Sequence, residues 1–268
     1  MKIVFLGAGK MAEAIFSRLT SGNTIIVSDI DKKRLATLKR KYKITVASDN
    51  AAAFSAGEVV VLAVKPQQMG EVLGNVKCQM TNDKLRKVII SIAAGVPTKY
   101  LQDKLPGCQI VRAMPNNPAL VGAGITAIAK GSRITHYALR ITKKIFASVG
   151  EVVEIPEKMM DGATGLSGSG PAYVYQMIEA MTAGGVKVGL PAKIAAKLAV
   201  QTVFGAAAAV KETGIEPKEL RAMVTSPGGT TIEGLNVLER REFSRAVIEA
   251  IESAAAKAKI LTEKWGKS

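Results

Sequence analysis

Cysteine, histidine and aromatic residues are scarce in this chain. Its 268 residues include two cysteines and one histidine, and aromatic residues make up 4% of the total. Cys78 and Cys108 cannot build a disulfide framework, and together with His136 they cannot supply a Cys/His zinc site. The sequence therefore predicts no bound metal, and His136 is the single candidate for a histidine general base.

Long apolar runs are absent as well. The longest, around residues 205–210 and 59–64, fall short of the roughly 18 residues that a membrane-spanning helix needs. The apolar run at residues 3–6 is too short for the hydrophobic region of a secretory signal. We therefore expect a cytoplasmic protein without a membrane partner.

The basic charge does not follow a pattern typical of nucleic-acid binding. The net charge is +15, but lysines and arginines are scattered, with local clusters only at residues 32–34 and 39–43. Few aromatic side chains are present on which bases could stack. We expect a solvated basic surface and no nucleic-acid partner, around the sizeable core that 48% hydrophobic residues permit.

The first 155 residues alternate short β-rich apolar runs with amphipathic stretches, which is typical of βαβ units in a parallel sheet. Predicted strands cover residues 2–6, 24–28, 59–64, 88–92, 109–114, 125–129 and 152–155. Predicted helices between them include residues 11–19, 32–42, 67–76 and 135–149. The pattern predicts a doubly wound α/β domain over residues 1–155.

After residue 155 the pattern becomes helical. Alanine and glycine dominate, and the predicted helices cover residues 191–213, 217–224, 230–240 and 244–264. Faces of small residues suit close helix packing or a subunit interface. We place the domain boundary near Pro156, with an all-α domain over residues 156–268.

A glycine-rich turn follows the first predicted strand. Gly7, Gly9 and Ala12 make a G-x-G-x-x-A pattern that opens a helix. The first glycine permits the tight turn, the second lets the backbone approach a pyrophosphate, and the alanine allows close helix packing. The helix N-terminus adds free N–H groups. The pattern in this context favours dinucleotide binding over a purely structural turn.

An acidic residue follows the second predicted strand. Asp29 lies 20 residues beyond Gly9, where an acid usually bonds the ribose 2′-hydroxyl of NAD. However, Lys32, Lys33 and Arg34 stand behind it and could hold a 2′-phosphate, and Asp29 could also cap the next helix. NADH and NADPH both remain open as the reduced coenzyme.

Four further segments, together with this turn, carry a family resemblance. They are Val64-Lys65-Pro66, Arg112-Ala113-Met114-Pro115-Asn116, residues 165–173 (GLSGSGPAY) and residues 226–231 (SPGGTT). From the first strand to the last helix the chain resembles the pyrroline-5-carboxylate reductase family. The segments at 165–173 and 226–231 are the most specific part.

The resemblance implies a fold, an activity and a coenzyme site. The expected fold is an N-terminal Rossmann-like domain that holds NADP or NAD in its reduced form, and a C-terminal all-α domain that forms a homodimer or a higher homo-oligomer. The expected activity is reduction of the C=N bond of a small imino acid, 1-pyrroline-5-carboxylate, to L-proline. The expected coenzyme contacts are Gly7, Ala8, Gly9, Lys10, Met11, Ala12, Ser28, Asp29, Asn50, Val64, Lys65, Ala93 and Ala94.

The resemblance also implies a substrate loop. Its residues are Ser226, Gly228, Gly229, Thr230 and Thr231, with Thr231 as the catalytic group that hydrogen-bonds the ring nitrogen. Hydroxyls, N–H groups and a helix start in one loop make a suitable carboxylate site. The alternative is an ordinary Ser/Thr helix cap. Residues 168–171 likewise either shape the pocket or form only a turn.

Two other functions fit parts of the sequence. A β-hydroxyacid dehydrogenase shares the domain order but needs a lysine in its own glycine-rich motif, and Lys187 and Lys193 lack that context. A coenzyme-sensing protein without turnover would not need the 226–231 loop. Enzymatic imine reduction is therefore the function that the sequence favours.

Overall fold

The computed structural model describes residues 1–76, 87–132 and 134–267. Cys78 lies outside the described residues. Two compact units divide the chain: residues 1–169 with 252–268, and residues 170–251.

The first unit contains one sheet of eight strands in the described residues. Their order across the sheet is β3-β2-β1-β4-β5-β6-β7-β8. The strands are β1 Lys2–Leu6, β2 Thr24–Ser28, β3 Thr45–Val46, β4 Val59–Leu62, β5 Val88–Ser91, β6 Gln109–Pro115, β7 Gly124–Lys130 and β8 Gly150–Glu154. The carboxyl ends of β1, β2, β4 and β5 therefore meet at one edge, where a doubly wound sheet binds its ligands.

The sheet is not parallel throughout. β7 pairs with β6 in antiparallel register, with Ala113 opposite Ile128, and β8 then runs parallel to β7. A parallel crossover needs a dozen or more residues, whereas only residues 116–123 join β6 to β7. The expectation of a parallel sheet is correct for the first six strands and wrong at this edge.

Helices cover both faces of the sheet. They are α1 Lys10–Ser17, α2 Lys32–Tyr42, α3 Asn50–Ala56, α4 Met69–Val76, α5 Thr98–Lys104, α6 His136–Ala147 and α7 Met160–Ala163. β1 shows why two faces are needed, because Ile3 and Phe5 enter one buried cluster and Val4 and Leu6 enter another. A strand with alternate residues in two cores must be covered on both sides, so the doubly wound architecture is confirmed.

The first unit extends beyond the predicted boundary at Pro156. Met160 is fully buried and clusters with Ala127 and Ala129 of β7. At the C-terminus, the Trp265 ring packs on Tyr100 with 4.5 Å between ring centroids. These contacts place residues 157–169 and 252–268 with the sheet, so the compact units do not coincide with the two predicted domains.

The second unit is helical and has little core of its own. α8 Gly170–Lys187, α9 Ala192–Thr213, α10 Pro217–Met223 and α11 Thr230–Arg240 lie within it, and α12 Phe243–Glu263 begins in it. Ala195 and Ala199 are its buried apolar residues, while Phe204 is 66% exposed and Met223 is 69% exposed. So much exposed apolar surface marks an interaction face.

Helix α9 also bears on the membrane expectation. In the described part of the chain it is the one helix whose length and apolar composition would let it cross a membrane. The expectation that every apolar stretch is too short was therefore too strong. Helices of proteins that never enter a membrane share this length and composition, so α9 by itself does not indicate a membrane span.

Sequence periodicity predicted most elements to within two residues at each end. It missed β3, α3, α5, α7 and α8. β3 has only two residues and α7 only four, which is too short for a periodic pattern to emerge. α3 begins after Asp49, whose carboxylate accepts a hydrogen bond from the Ala52 N–H at 2.8 Å.

Candidate active site

The glycine turn after β1 requires glycine at its first position. Gly7 has φ +102°, and its N–H donates to the Ser28 carbonyl at 2.8 Å. A Cβ atom at Gly7 would lie 2.6 Å from the carbonyl oxygen of Ala63, which follows β4. The turn therefore lies against the ends of two neighbouring strands, and a side chain at residue 7 would force them apart.

The second glycine of the turn faces open space. Gly9 is exposed, and no atom lies within 4 Å of the position that its Cβ would occupy. Gly9 is the N-cap residue of α1 and supplies no side-chain cap, while Ala8 and Ala12 are buried beneath the turn. Open space above an uncapped helix N-terminus fits the pyrophosphate of a dinucleotide.

Asp29 is bonded to the turn and does not cap a helix. Its Oδ2 accepts a hydrogen bond from the Ala8 N–H at 2.6 Å, and its Oδ1 accepts one from the Asp31 N–H at 2.8 Å. The cap of α2 is Asp31, whose side chain accepts from the Arg34 N–H at 2.9 Å. The cap alternative for Asp29 is therefore wrong, since the next acid already performs that role.

The remaining predicted coenzyme residues lie along the same edge of the sheet. Lys10 and Met11 open α1, Ser28 ends β2, and Asn50 opens α3. Val64 and Lys65 follow β4, and Ala93 and Ala94 follow β5. Ser28 and Ala93 are buried, whereas Lys65 is exposed. The structure thus places all of these residues in the turn or just beyond the strands that surround it.

An ion-pair cluster beneath the turn was missed from the sequence. Glu13 of α1 contacts Arg34 at 3.0 Å and Lys41 at 3.1 Å, and accepts a hydrogen bond from the Tyr42 hydroxyl at 2.8 Å. Burial raises the pKa of the Glu13 carboxyl, but the hydrogen bonds from Tyr42 and Lys41 outweigh it and leave that pKa lowered. In the sequence, Glu13 is visible only as an acidic residue in the first turn of α1. Its partners lie 21 or more residues further along the chain, so the sequence does not reveal the pairing.

A second missed network surrounds Arg112 of β6. The side chain is 4% exposed and lies 3.6 Å from Glu157 and 3.4 Å from Asp161. Glu157 in turn accepts hydrogen bonds from the Thr98 N–H at 2.7 Å and hydroxyl at 2.5 Å. The network therefore anchors the start of α5, which follows the loop that carries Ala93 and Ala94.

The predicted substrate loop lies in the second unit. The Gly229 N–H donates to the Ser226 carbonyl at 3.1 Å, and Gly228 has φ +71°. A Cβ at Gly229 would lie 2.5 Å from the Ser226 Oγ, so a larger residue at this position would displace that hydroxyl. The N-cap of α11 is Gly229, without a side-chain cap, and Ser226, Thr230 and Thr231 are exposed.

This geometry contradicts the reading of the loop as an ordinary Ser/Thr cap. A cap hydroxyl would accept from an N–H of the first turn, but no side chain does so at α11. Uncapped N–H groups with adjacent hydroxyls can bind a carboxylate. No cluster of three or more metal-binding side chains occurs among the residues described.

Residues 164–168 form a π-helical turn between α7 and α8, and Gly170 and Pro171 of the expected 168–171 segment open α8. The Ser169 N–H donates to the Thr164 carbonyl at 2.9 Å, five residues back. A Cβ at Gly168 would lie 2.7 Å from the Met114 Cε. The glycine thus permits contact with β6, and π-turns of this kind are frequent at functional sites.

A doubly wound sheet with an open glycine turn between β1 and α1 defines a dinucleotide-binding protein of the oxidoreductase type. Two family models match the chain. "Pyrroline-5-carboxylate reductase dimerisation" matches residues 157–261, and "NADP oxidoreductase coenzyme F420-dependent" matches residues 2–95.

Curated relatives and solved structures agree with these matches. The chain is 46% identical to the pyrroline-5-carboxylate reductase of Synechocystis, over 98% of this chain and 99% of the relative. It is 43% identical to that of Methanosarcina acetivorans, over 98% of both. The chain belongs to the pyrroline-5-carboxylate reductase family.

Two solved structures of this family superpose over nearly the whole chain. The reductase of Coxiella burnetii is 35% identical with a TM-score of 0.89, over 97% of this chain and 98% of that one. The Plasmodium falciparum enzyme, solved with NADP bound, is 32% identical with a TM-score of 0.87, over 98% of both. The expected fold, a Rossmann-like domain with a helical dimerisation domain, is confirmed.

Proposed function

We propose that this chain reduces the C=N bond of 1-pyrroline-5-carboxylate to L-proline, the last step of proline biosynthesis, with NADH or NADPH as the hydride donor. The observation that carries the proposal is family membership over the full length together with the open turn at Gly9 and the uncapped loop at residues 226–231. Family membership indicates the chemistry. The turn and the loop can bind the coenzyme pyrophosphate and the substrate carboxylate that this chemistry requires.

The coenzyme site is proposed along the carboxyl edge of the sheet. The N–H groups of residues 9–12 receive the pyrophosphate, with Gly9 admitting its close approach, while the N–H groups of Gly7 and Ala8 hold the turn through Ser28 and Asp29. Asp29 and Asn50 lie on the adenosine side, and residues 64–65 and 93–94 lie on the nicotinamide side. The bound coenzyme supplies a hydride, so the chain itself needs only to hold and orient the reactants.

The substrate site is proposed at the loop before α11. Ser226, Thr230 and the Gly228 N–H bind the carboxylate, which fixes the ring carbon that faces the hydride. Gly229, whose N–H donates to the Ser226 carbonyl, closes the loop around it. Thr231 orients the imine by a hydrogen bond to its nitrogen. Orientation alone can lower the barrier by roughly 7–11 kcal/mol, so an aliphatic hydroxyl suffices, and the proton arrives on the substrate or through water.

The two domains divide this work. Residues 1–155 form the coenzyme-binding domain, and residues 156–268 form the substrate-binding and dimerisation domain. The chain is a homo-oligomer, and its helical part lies at the interface between copies, since Phe204, Leu198 and Ile194 of α9 are each about half or more exposed. We place the protein in the cytoplasm, with no membrane or nucleic-acid partner.

The test is oxidation of reduced coenzyme with three additions in parallel. With pyrroline-5-carboxylate we expect loss of the reduced-nicotinamide absorbance band and an equal amount of proline. A β-hydroxyacid with oxidised coenzyme tests the dehydrogenase alternative, and coenzyme binding without turnover of either substrate would indicate the sensor alternative. The proposal would be overturned if no proline formed with either coenzyme, or if only the hydroxyacid were turned over.

A further inference from the structure

The end of β2 presents a fixed carboxylate beside the coenzyme turn. Asp29 accepts hydrogen bonds from the N–H of Ala8, inside the turn, and from the N–H of Asp31. The first bond is 2.6 Å long and holds the carboxylate against the turn. An acid in this position faces the adenosine ribose of a dinucleotide whose pyrophosphate lies on the same turn.

The cation best placed to offset this charge is already paired within the protein. The Arg34 guanidinium donates from its Nε to the Ala8 carbonyl, and its second edge lies 3.0 Å from Glu13. Glu13 also contacts Lys41 at 3.1 Å. A phosphate that recruited Arg34 would compete with both the Ala8 carbonyl and the Glu13 carboxylate.

The two lysines ahead of Arg34 do not replace it. The Lys32 Nζ lies 3.4 Å from the Ser48 carbonyl. Hydrogen bonds from Ala52 and Ser48, with a smaller contribution from the Lys32 charge, lower the pKa of the neighbouring Asp49 carboxyl. Lys33 is exposed, and a flexible solvated ammonium is a weak and strongly screened phosphate ligand. The nearest fixed charge at the ribose position is therefore negative.

We propose that this chain prefers NADH to NADPH and that Asp29 is the specificity-determining residue. The proposal rests on the proposed function and adds the identity of its coenzyme. The carboxylate accepts a hydrogen bond from a ribose 2′-hydroxyl, whereas a 2′-phosphate brings about two negative charges against it. Repulsion between close charges at a partly exposed site corresponds to at least about a tenfold difference in affinity.

The experiment measures binding of NADH and NADPH by calorimetry without substrate, and kcat/KM for both coenzymes. The variants are Asp29→Asn, which keeps an acceptor of the same shape, and Asp31→Asn as the control with an equal change of charge two residues away. Wild type is expected to bind NADH at least about tenfold more tightly than NADPH. Asp29→Asn is expected to reduce that ratio about tenfold, and Asp31→Asn to leave it unchanged.

Three results would overturn the inference. They are equal or tighter binding of NADPH by the wild type, an unchanged ratio in Asp29→Asn, or an equal change in Asp31→Asn. The wild-type comparison decides even if Asp29→Asn does not fold. Failure of the proposed function looks different, because then neither coenzyme supports imine reduction although both binding constants can still be measured.

Discussion

Thr262, near the end of α12, donates a hydrogen bond of 2.8 Å to the Asp161 carboxylate, 101 residues earlier in the chain. Asp161 also lies 3.4 Å from the buried Arg112. On the same helix, the Leu261 Cβ is 3.0 Å from where a Cβ of Gly95 would lie. The C-terminal segment thus packs on the loop that carries Ala93 and Ala94, and Asp161 fixes it there.

We predict that Asp161→Asn destabilises the folded chain. The change leaves Arg112 with one carboxylate, Glu157, and weakens the bond from Thr262. Because Asp161 is 22% exposed and Glu157 remains, we expect a loss of about 1–3 kcal/mol in the free energy of unfolding. Urea denaturation measures it.

Thr262→Val is the matched variant in this network. Alone it removes one hydroxyl and is expected to cost about 1 kcal/mol. In the variant that combines Asp161→Asn with Thr262→Val, the two losses in the free energy of unfolding should not add. We expect a coupling energy between them of at least about 0.5 kcal/mol. Full additivity would show that the hydrogen bond between Thr262 and Asp161 contributes nothing to stability.

Alanine substitutions at the two glycines of the coenzyme turn are predicted to have different effects, on stability at Gly7 and on coenzyme binding at Gly9. Gly7→Ala strains a residue at φ +102° and meets the Ala63 carbonyl, so it should cost about 1–3 kcal/mol of stability. Gly9→Ala meets no protein atom and should leave stability unchanged, but its methyl group enters the pyrophosphate position. Calorimetry should show at least about tenfold weaker coenzyme binding for Gly9→Ala.

Equal coenzyme affinity in wild type and Gly9→Ala would contradict this assignment of the pyrophosphate. Urea denaturation of both variants separates a folding defect from a binding defect.

Thr231→Val is predicted to reduce catalysis while leaving coenzyme binding intact. The change removes the hydroxyl at nearly constant volume, so kcat should fall about tenfold, which corresponds to one lost hydrogen bond of about 1.4 kcal/mol. Thr225→Val is the control, because the Thr225 hydroxyl donates to the Arg221 carbonyl within the preceding helical turn. Equal kcat in the Thr231→Val variant and the wild type would remove Thr231 from the mechanism.

Cys108 is predicted to be a slow nucleophile. Burial, opposed in part by Lys87, raises the pKa of the Cys108 thiol from 9.0 to about 11. In a Cys78→Ser background, labelling by a disulfide reagent at pH 8 should proceed through about one thiolate in a thousand. The labelling rate should still rise above pH 9, and a plateau near that pH would contradict the burial.

The same pKa predicts a direction for stability. Between pH 9 and about 11 the thiol ionises in the unfolded chain but not in the folded one. The unfolded state therefore binds fewer protons in that window, and stability falls as the pH rises. Urea denaturation of Cys78→Ser and of a variant with Cys108→Ser added isolates this contribution.

The strands and their order of appearance could be predicted because fully buried strands read as continuous apolar runs, as at Val59–Leu62. The reversal at β7 was missed although the sequence carries the signal, because the eight residues between β6 and β7 are too few for a parallel crossover. The packing of residues 252–268 with the sheet unit could not be predicted from the sequence, because the hydrogen bond from Thr262 to Asp161 joins residues that are distant in sequence.

Some features of the candidate site could likewise be predicted from the sequence, and others could not. Gly7 and Gly9 were predictable because the turn itself requires them. The roles of Asp29, Asp31 and Arg34 were not, because five charged residues within six positions allow several pairings. Asp31 caps α2 and Glu13 pairs with Arg34 only in the folded structure, where these residues are brought together.

The most direct test of the central claim uses reduced coenzyme with deuterium at C4 of the nicotinamide ring. We predict that the protein forms L-proline from pyrroline-5-carboxylate with one deuterium on the ring carbon that belonged to the C=N bond, detected by mass spectrometry and NMR. Proline without deuterium from coenzyme labelled on either face of the ring, or no proline at all, would contradict direct hydride transfer to the imine.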